Sequence, residues 1–157
     1  MSEFRSIELA IELATRQRDA MARNHAQALR NLEFADGQMA QLSHYACDTD
    51  QRWIGSQQVT RSGELVRHHY QFMERLQHAI GMQSCVMGDL RGQIDTAHKA
   101  LLQAEFRLSG LKQVLQGKQA AVQLKQKRRA QQETDEFAAL RHLHARAAQQ
   151  QGEKHEH

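Results

Sequence analysis

The feature that most restricts this chain is an apolar residue recurring at alternating steps of four and three along much of its length. Stepping from Ile7 lands on Ile11, Ala14, Arg18, Met21, His25, Ala28, Leu32, Ala35, Met39, Leu42 and Ala46, with ten of the twelve positions apolar. That 3.5-residue period is the seam of a coiled coil: it holds one stripe of a helix against a partner helix, whereas a strand alternates with period two. The stripe resumes at Leu65 and runs through His69, Phe72, Leu76, Ala79, Gln83, Val86, Leu90, Ile94, Ala97, Leu101, Ala104, Leu108, Leu111 and Leu115, with thirteen of fifteen apolar. The two successive steps of four from Val86 to Leu90 to Ile94 predict a stutter, which locally unwinds a supercoil. Arg18, His25, His69 and Gln83 interrupt the seam, and polar residues at such positions set helix register at some cost in stability.

Composition removes the alternatives. The chain has no proline and only 5% aromatic residues, and it is rich in Ala, Leu, Gln, Arg, Glu and Lys, the strong helix formers. A mean hydropathy of −0.72 with 25% charged residues leaves too little apolar surface for a conventional core, which excludes a β-sandwich or a doubly wound sheet. The fold expected is all-α: a long antiparallel two-helix coiled coil, or helical hairpin, with a longer C-terminal helix. A single domain over 1–150 would hold a helix at about 3–54, a turn at about 55–63 and a helix at about 64–149, followed by a disordered tail at 151–157. Ser2 would cap the first helix, with Glu3 complementing its dipole. Gly55, Ser56, Thr60, Ser62 and Gly63 mark the turn.

Reflecting the chain about residue 59 pairs position 7 with position 111 or so, and the second helix then outruns the first by about 38 residues, or about 57 Å at 1.5 Å per residue. Val114, Leu115, Val122, Leu124, Phe137, Leu140 and Leu143 lie on that overhang without an intramolecular partner. An unpartnered amphipathic helix needs a second chain or a receptor groove. Insertion into a partner, fraying and self-association are all compatible with the sequence. At the other end, Leu42, Tyr45, Trp53, Phe72 and Leu76 crowd large apolar groups near the turn. They form either an exposed docking patch or a small core that closes the hairpin.

Charge is divided unevenly. Residues 1–111 carry 12 basic and 13 acidic side chains, whereas 112–157 carry 9 basic and 5 acidic ones, which accounts for the whole formal charge of +3. Lys112, Lys118 and the run Lys125, Lys127, Arg128, Arg129 make the C-terminal helix a candidate contact surface. A basic-zipper protein places its basic region before the leucine seam. Here the run follows the seam and is itself followed by Glu133, Asp135 and Glu136, so an acidic protein surface is the expected partner and nucleic acid is not. Cys47 and Cys85 form no metal or disulfide framework, and a reducing, cytosolic setting follows. No run of 18 apolar residues or signal-peptide pattern occurs.

Catalytic and metal chemistry find little support. The ten histidines include His68-His69, His142-x-His144 and His155-x-His157, but metal ligands on one helix face recur at i and i+4, and these pairs diverge. No phosphate-binding glycine motif occurs, and a two-helix rod offers no pocket for a nucleophile and its base. The expectation is a non-enzyme with no cofactor.

Particular residues at matched spacing carry a resemblance. They are Asp19-Ala20, Ala22-Arg23, Ala35, Gln38, Leu42 and Tyr45 on the first helix. On the second they are Gln71-Phe72, Leu76, Ala79-Ile80, Asp95, Arg107-Leu108, Leu115-Gln116, Gln119 and Asp135-Glu136-Phe137-Ala138. From about residue 19 to residue 138 the chain resembles the FliJ family of flagellar type III export proteins.

The resemblance implies a two-helix stalk, like that of rotary ATPases, whose termini enter the hexameric ring of the export ATPase FliI and promote ring assembly and activity. Lys118, Lys125, Lys127, Arg128 and Arg129 become ring-facing candidates. It further implies a surface near the hairpin tip that binds the export gate protein FlhA, read here as Gln38, Leu42, Tyr45, Phe72, Leu76 and Ala79. Thr49 and Gln83 depart from that surface, where the family has an aromatic residue and a histidine. Late-substrate export chaperones are implied partners, and the implied location is cytoplasmic and peripheral at the inner membrane. The alternatives are a stalk protein of a virulence type III secretion system, and a basic coiled-coil dimer that binds nucleic acid or scaffolds other helices.

Overall fold

The structure is a computed structural model that describes residues 2–56 and 62–155, with the side chain of Ser2 outside them. It is all-α: helix α1 spans Ser2–Gly55 and helix α2 spans Gly63–His155, the two pack against each other, and no strand occurs among the described residues. The expected Ser2 cap and the 57–61 part of the expected turn lie outside the described residues. At the near edge of that turn the amide of Ser56 donates to the carbonyls of Arg52 (3.0 Å) and Trp53 (3.3 Å). The start of α2 carries a cap that the sequence reading missed: the Leu65 amide donates to Ser62 Oγ at 3.3 Å, satisfying one of the free N-terminal amides. At the far end α2 continues through His155, past the expected end near 149. The Gln, Glu and Lys residues there are good helix formers, and no proline stops the helix.

Two units make up the chain, Glu12–Leu108 and the pair Met1–Ile11 with Ser109–His157. In the Glu12–Leu108 unit the contacts between the helices run antiparallel, with His25 beside His98, Gln83 bonded to Ala35 and Tyr45 beside Phe72. The deepest positions of α1 are alanines, Ala14, Ala28, Ala35 and Ala46, whereas those of α2 are Leu76, Met87 and Leu108. Short side chains on one helix make room for long ones on the other, so the core is a single file of small layers.

All twelve seam positions expected on α1 are buried or half-buried. The seam of α2 differs from the expectation in its first part. Val66, His69, Met73, Leu76, Ile80, Gln83, Met87, Leu90, Ile94, Ala97, Leu101, Ala104 and Leu108 are covered, and half-buried Ala79 flanks them, while Leu65, Phe72 and Val86 are exposed. Met87 is 6% exposed against 46% for Val86. Replacing Val86 by Met87 turns the expected stutter into an uninterrupted alternation of three and four, so the local unwinding is not required.

In the Met1–Ile11 and Ser109–His157 unit, half-buried Ile7, Ile11, Leu111, Leu115 and Lys118 form the last layers of packing. Lys118 Nζ donates to Glu3 Oε1 at 2.7 Å. Every described residue from Ala121 to His155 is exposed.

Candidate interaction surfaces

Gln83 organises the first surface. Its position on the α2 seam points the amide at α1, where Nε2 donates to the Ala35 carbonyl at 2.9 Å and to Gln38 Oε1 at 3.3 Å. The polar interruption therefore joins the helices at one register, as expected of a polar seam residue. Gln38, Gln41, Leu42, Tyr45 and Gln83 line a shallow groove of about 560 Å³. Phe72 lies beside it, edge-on to Tyr45 with ring centroids 5.9 Å apart and an interplanar angle of 79°, a favourable aromatic geometry. Both rings keep a face in solvent, Tyr45 at 54% and Phe72 at 38% exposure. Groove and rings together offer an apolar, amide-edged surface to a partner.

The structure thus brings together Gln38, Leu42, Tyr45 and Phe72 of the expected gate-binding residues. Leu76 is a correction: at 8% exposure it is a core residue and cannot act as a surface contact. Its place in the 73-76-80 succession turns it toward α1. Ala79 is half-buried beside that succession. Trp53, also expected in this crowd, has a different partner, lying flat on His69 with centroids 3.9 Å apart and planes within 3°. His69 in turn meets Tyr70 edge-on at 5.9 Å. The large groups near the turn therefore divide between the two roles considered for them: Leu76 closes the helices together, while Tyr45 and Phe72 remain accessible.

The second surface is the exposed part of α2. Lys125, Lys127, Arg128 and Arg129 are exposed, and Lys125, Arg128 and Arg129 share one shallow depression with Gln131 and Gln132. Lys118 differs from this group, because it is half-buried and paired with Glu3. The hydrogen bond from Lys118, and then its positive charge, hold the Glu3 carboxyl below its ordinary value. Beyond the basic run, Phe137, Leu140 and Leu143 are exposed at 64%, 56% and 61%, with the Arg141 guanidinium 5.8 Å from the Phe137 ring centroid.

Cys47 and Cys85 are free and exposed. Among the described residues no group of three or more His, Cys, Asp or Glu side chains could hold a metal ion, and no helix is long and apolar enough to cross a membrane.

Amides, aromatic rings and cations are displayed on the faces of two long helices. Residues 4–147 match the family model for the flagellar FliJ protein. The chain belongs to the FliJ family, a non-enzymatic component of flagellar protein export, and its role is export-related. No curated protein matches it.

Proposed function

We propose that this chain is the central stalk of the flagellar export ATPase ring, with the exposed end of α2 as its ring-facing element. The observation that carries this reading is the continuous exposure of α2 from Ala121 to His155 with Lys125, Lys127, Arg128 and Arg129 on it. A helix that leaves its partner and presents cations and apolar side chains together is suited to a ring lined by acidic and apolar groups. Contacts by long charged side chains are individually weak and screened, which suits an element that must shift within its socket. Lys118, tied to Glu3, belongs to the packing of the stalk itself and serves the ring only at the edge of that contact.

The groove of Gln38, Leu42 and Tyr45 with Phe72 is the proposed docking surface for the membrane export gate, and it links the ring to the gate. Location at the cytoplasmic face of the inner membrane would follow from that contact, as would handling of late-substrate chaperones by the same assembly.

The test is steady-state ATP hydrolysis by the cognate export ATPase with and without this chain, paired with sizing of the ATPase. Stimulated hydrolysis with ring assembly is expected. The triple reversal Lys125→Glu, Lys127→Glu, Arg128→Glu should weaken the contact and flatten the salt dependence of what remains. No stimulation by the unaltered chain, or an unchanged salt profile in the variant, would refute the ring contact.

A further inference from the structure

The seam that packs α2 against α1 does not stop where α1 ends. Its period continues through Val122, Gln126, Arg129, Glu133, Glu136, Leu140 and Leu143 in steps of four, three, four, three, four and three, all of them exposed. From Val122 to Leu140 this stripe has a symmetry of its own: its positions equally far from residue 131 are chemically complementary. Arg129 mirrors Glu133, Gln126 mirrors Glu136 and Val122 mirrors Leu140. Beside the stripe, Lys127 mirrors Asp135, whereas Lys125 mirrors Phe137 and Arg128 mirrors Thr134.

We infer that the exposed α2 segment pairs with the same segment of a second copy of this chain, antiparallel, about a two-fold axis at Gln131. In that arrangement each Arg129 meets Glu133 of the other copy, so two ion pairs sit at the centre. Val122 of each copy meets Leu140 of the other at the two ends. A two-fold contact must be self-complementary in this sense. The parallel alternative would set Arg129 on Arg129 and Glu133 on Glu133, which the charges disfavour.

The central Arg and Glu specify register more than they add affinity, and the arginine stems cover apolar surface beside them. With few large apolar groups in the stripe, the dimer is weak and concentration-dependent. Pairing covers Arg129 and shields its basic neighbours. Self-pairing and entry into the ATPase ring would then exclude each other, a consequence that rests on the ring reading above, although the dimer itself does not.

The experiment is sedimentation equilibrium of the full chain over a range of concentrations, with helicity followed by circular dichroism. The unaltered chain should show a monomer–dimer equilibrium that weakens with salt. Arg129→Glu alone places four acids at the axis and Glu133→Arg alone places four cations there. Each should weaken association at least about tenfold while helicity is retained. A mixture of the two variants restores opposite charges at every contact, and so does the double variant R129E/E133R, so both should dimerise again. A spin label on His142→Cys, with Cys47 and Cys85 replaced by Ser, should give a separation of about 33 Å between copies from the 1.5 Å rise. A parallel pair would bring the same residues to roughly 10 Å.

A chain that is monomeric throughout, leaving the face to an unlike partner, would overturn the inference. So would association unaffected by either single reversal, or the short label distance. ATPase stimulation is scored separately, with the unaltered chain at concentrations where it is monomeric: no stimulation there, with dimerisation at higher concentration, would challenge the ring contact alone.

Discussion

The register of α2 can be tested by one pair of neighbouring substitutions, Met87→Ala and Val86→Ala. Met87 is 6% exposed, so truncation to alanine removes three heavy atoms from a nearly dry position. At about 0.8 kcal/mol per buried methylene-sized group the transfer loss is about 2.4 kcal/mol. The cavity contribution should be small, because a core one layer thick lets neighbours and water close the gap, and the expected total of about 2–3 kcal/mol sits at the low end for Met→Ala. Val86 is 46% exposed; its two methyl groups lose about half as much each. Alanine's higher helix propensity recovers about 0.5 kcal/mol, leaving a net cost below about 0.5 kcal/mol. The assay is urea unfolding followed by far-ultraviolet circular dichroism, with the slope checked for constancy so that a midpoint shift reads as stability. If Val86→Ala costs as much as Met87→Ala, or more, the uninterrupted seam is wrong and the stutter stands.

Gln83→Ala should cost about 1 kcal/mol by removing the bridge to Ala35 and Gln38, and a double-mutant cycle with Gln38→Ala should show coupling. Zero coupling would mean that the amide pair does not persist in solution. Phe72→Ala should weaken binding to the export gate with a stability loss of no more than about 1 kcal/mol, whereas Leu76→Ala should cost about 2–3 kcal/mol. Equal stability losses and unaltered gate binding would remove Phe72 from the docking surface. The Glu3 carboxyl, held low by Lys118, contributes stability that is fully present above its ordinary value of 4.5 and is lost as pH falls through the lowered one. Lys118→Met should return Glu3 to its ordinary titration in a carboxyl-carbon NMR experiment, and an unmoved titration in that variant would show that the ion pair is not the cause.

The α1 seam was legible to the last position, although Leu13, Leu29 and Phe34 offer apolar alternatives beside Ala14, Ala28 and Ala35, because the alternation of four and three from Ile7 runs to Ala46 without a break. On α2 the stretch from Leu65 to Met87 offers pairs instead: Leu65-Val66, Phe72-Met73, Ala79-Ile80 and Val86-Met87. Stepping from Leu65 accepts the first of each pair, shares only His69, Leu76 and Gln83 with the covered stripe, and rejoins it in full at Leu90 by way of a double step of four. A physical tie-breaker was available, since starting from Val66 reaches Leu90 with no interruption and no unwinding. Leu76 lies on both steppings, whichever phase is taken, so its place in the seam was legible; its gate-binding role came from the resemblance alone, and its burial does not fit that role.

The tip surface was legible as a crowd of large groups but not as a division between buried and exposed ones, which depends on that phase. Ser62 as the α2 cap was overshadowed by the adjacent Gly63, although a Ser with an acid, Glu64, in the first turn after it is a helix-start signal. The free run of α2 was legible in outline from the unequal lengths of the two apolar stripes, but its start was placed too early, since Leu115, assigned to it, is half-buried.

The alanine file along α1 bears on how the protein opens. Each layer removes little apolar surface, so opening one layer sacrifices little beyond its contacts with the layers on either side. Stability in such a chain accumulates from neighbour to neighbour, as in a one-dimensional array. Backbone amide exchange should then be graded along the helices, slowest in the middle of the Glu12–Leu108 unit and faster toward its ends. A molecule that loosens by degrees in this way can yield locally to a moving partner without passing through global unfolding.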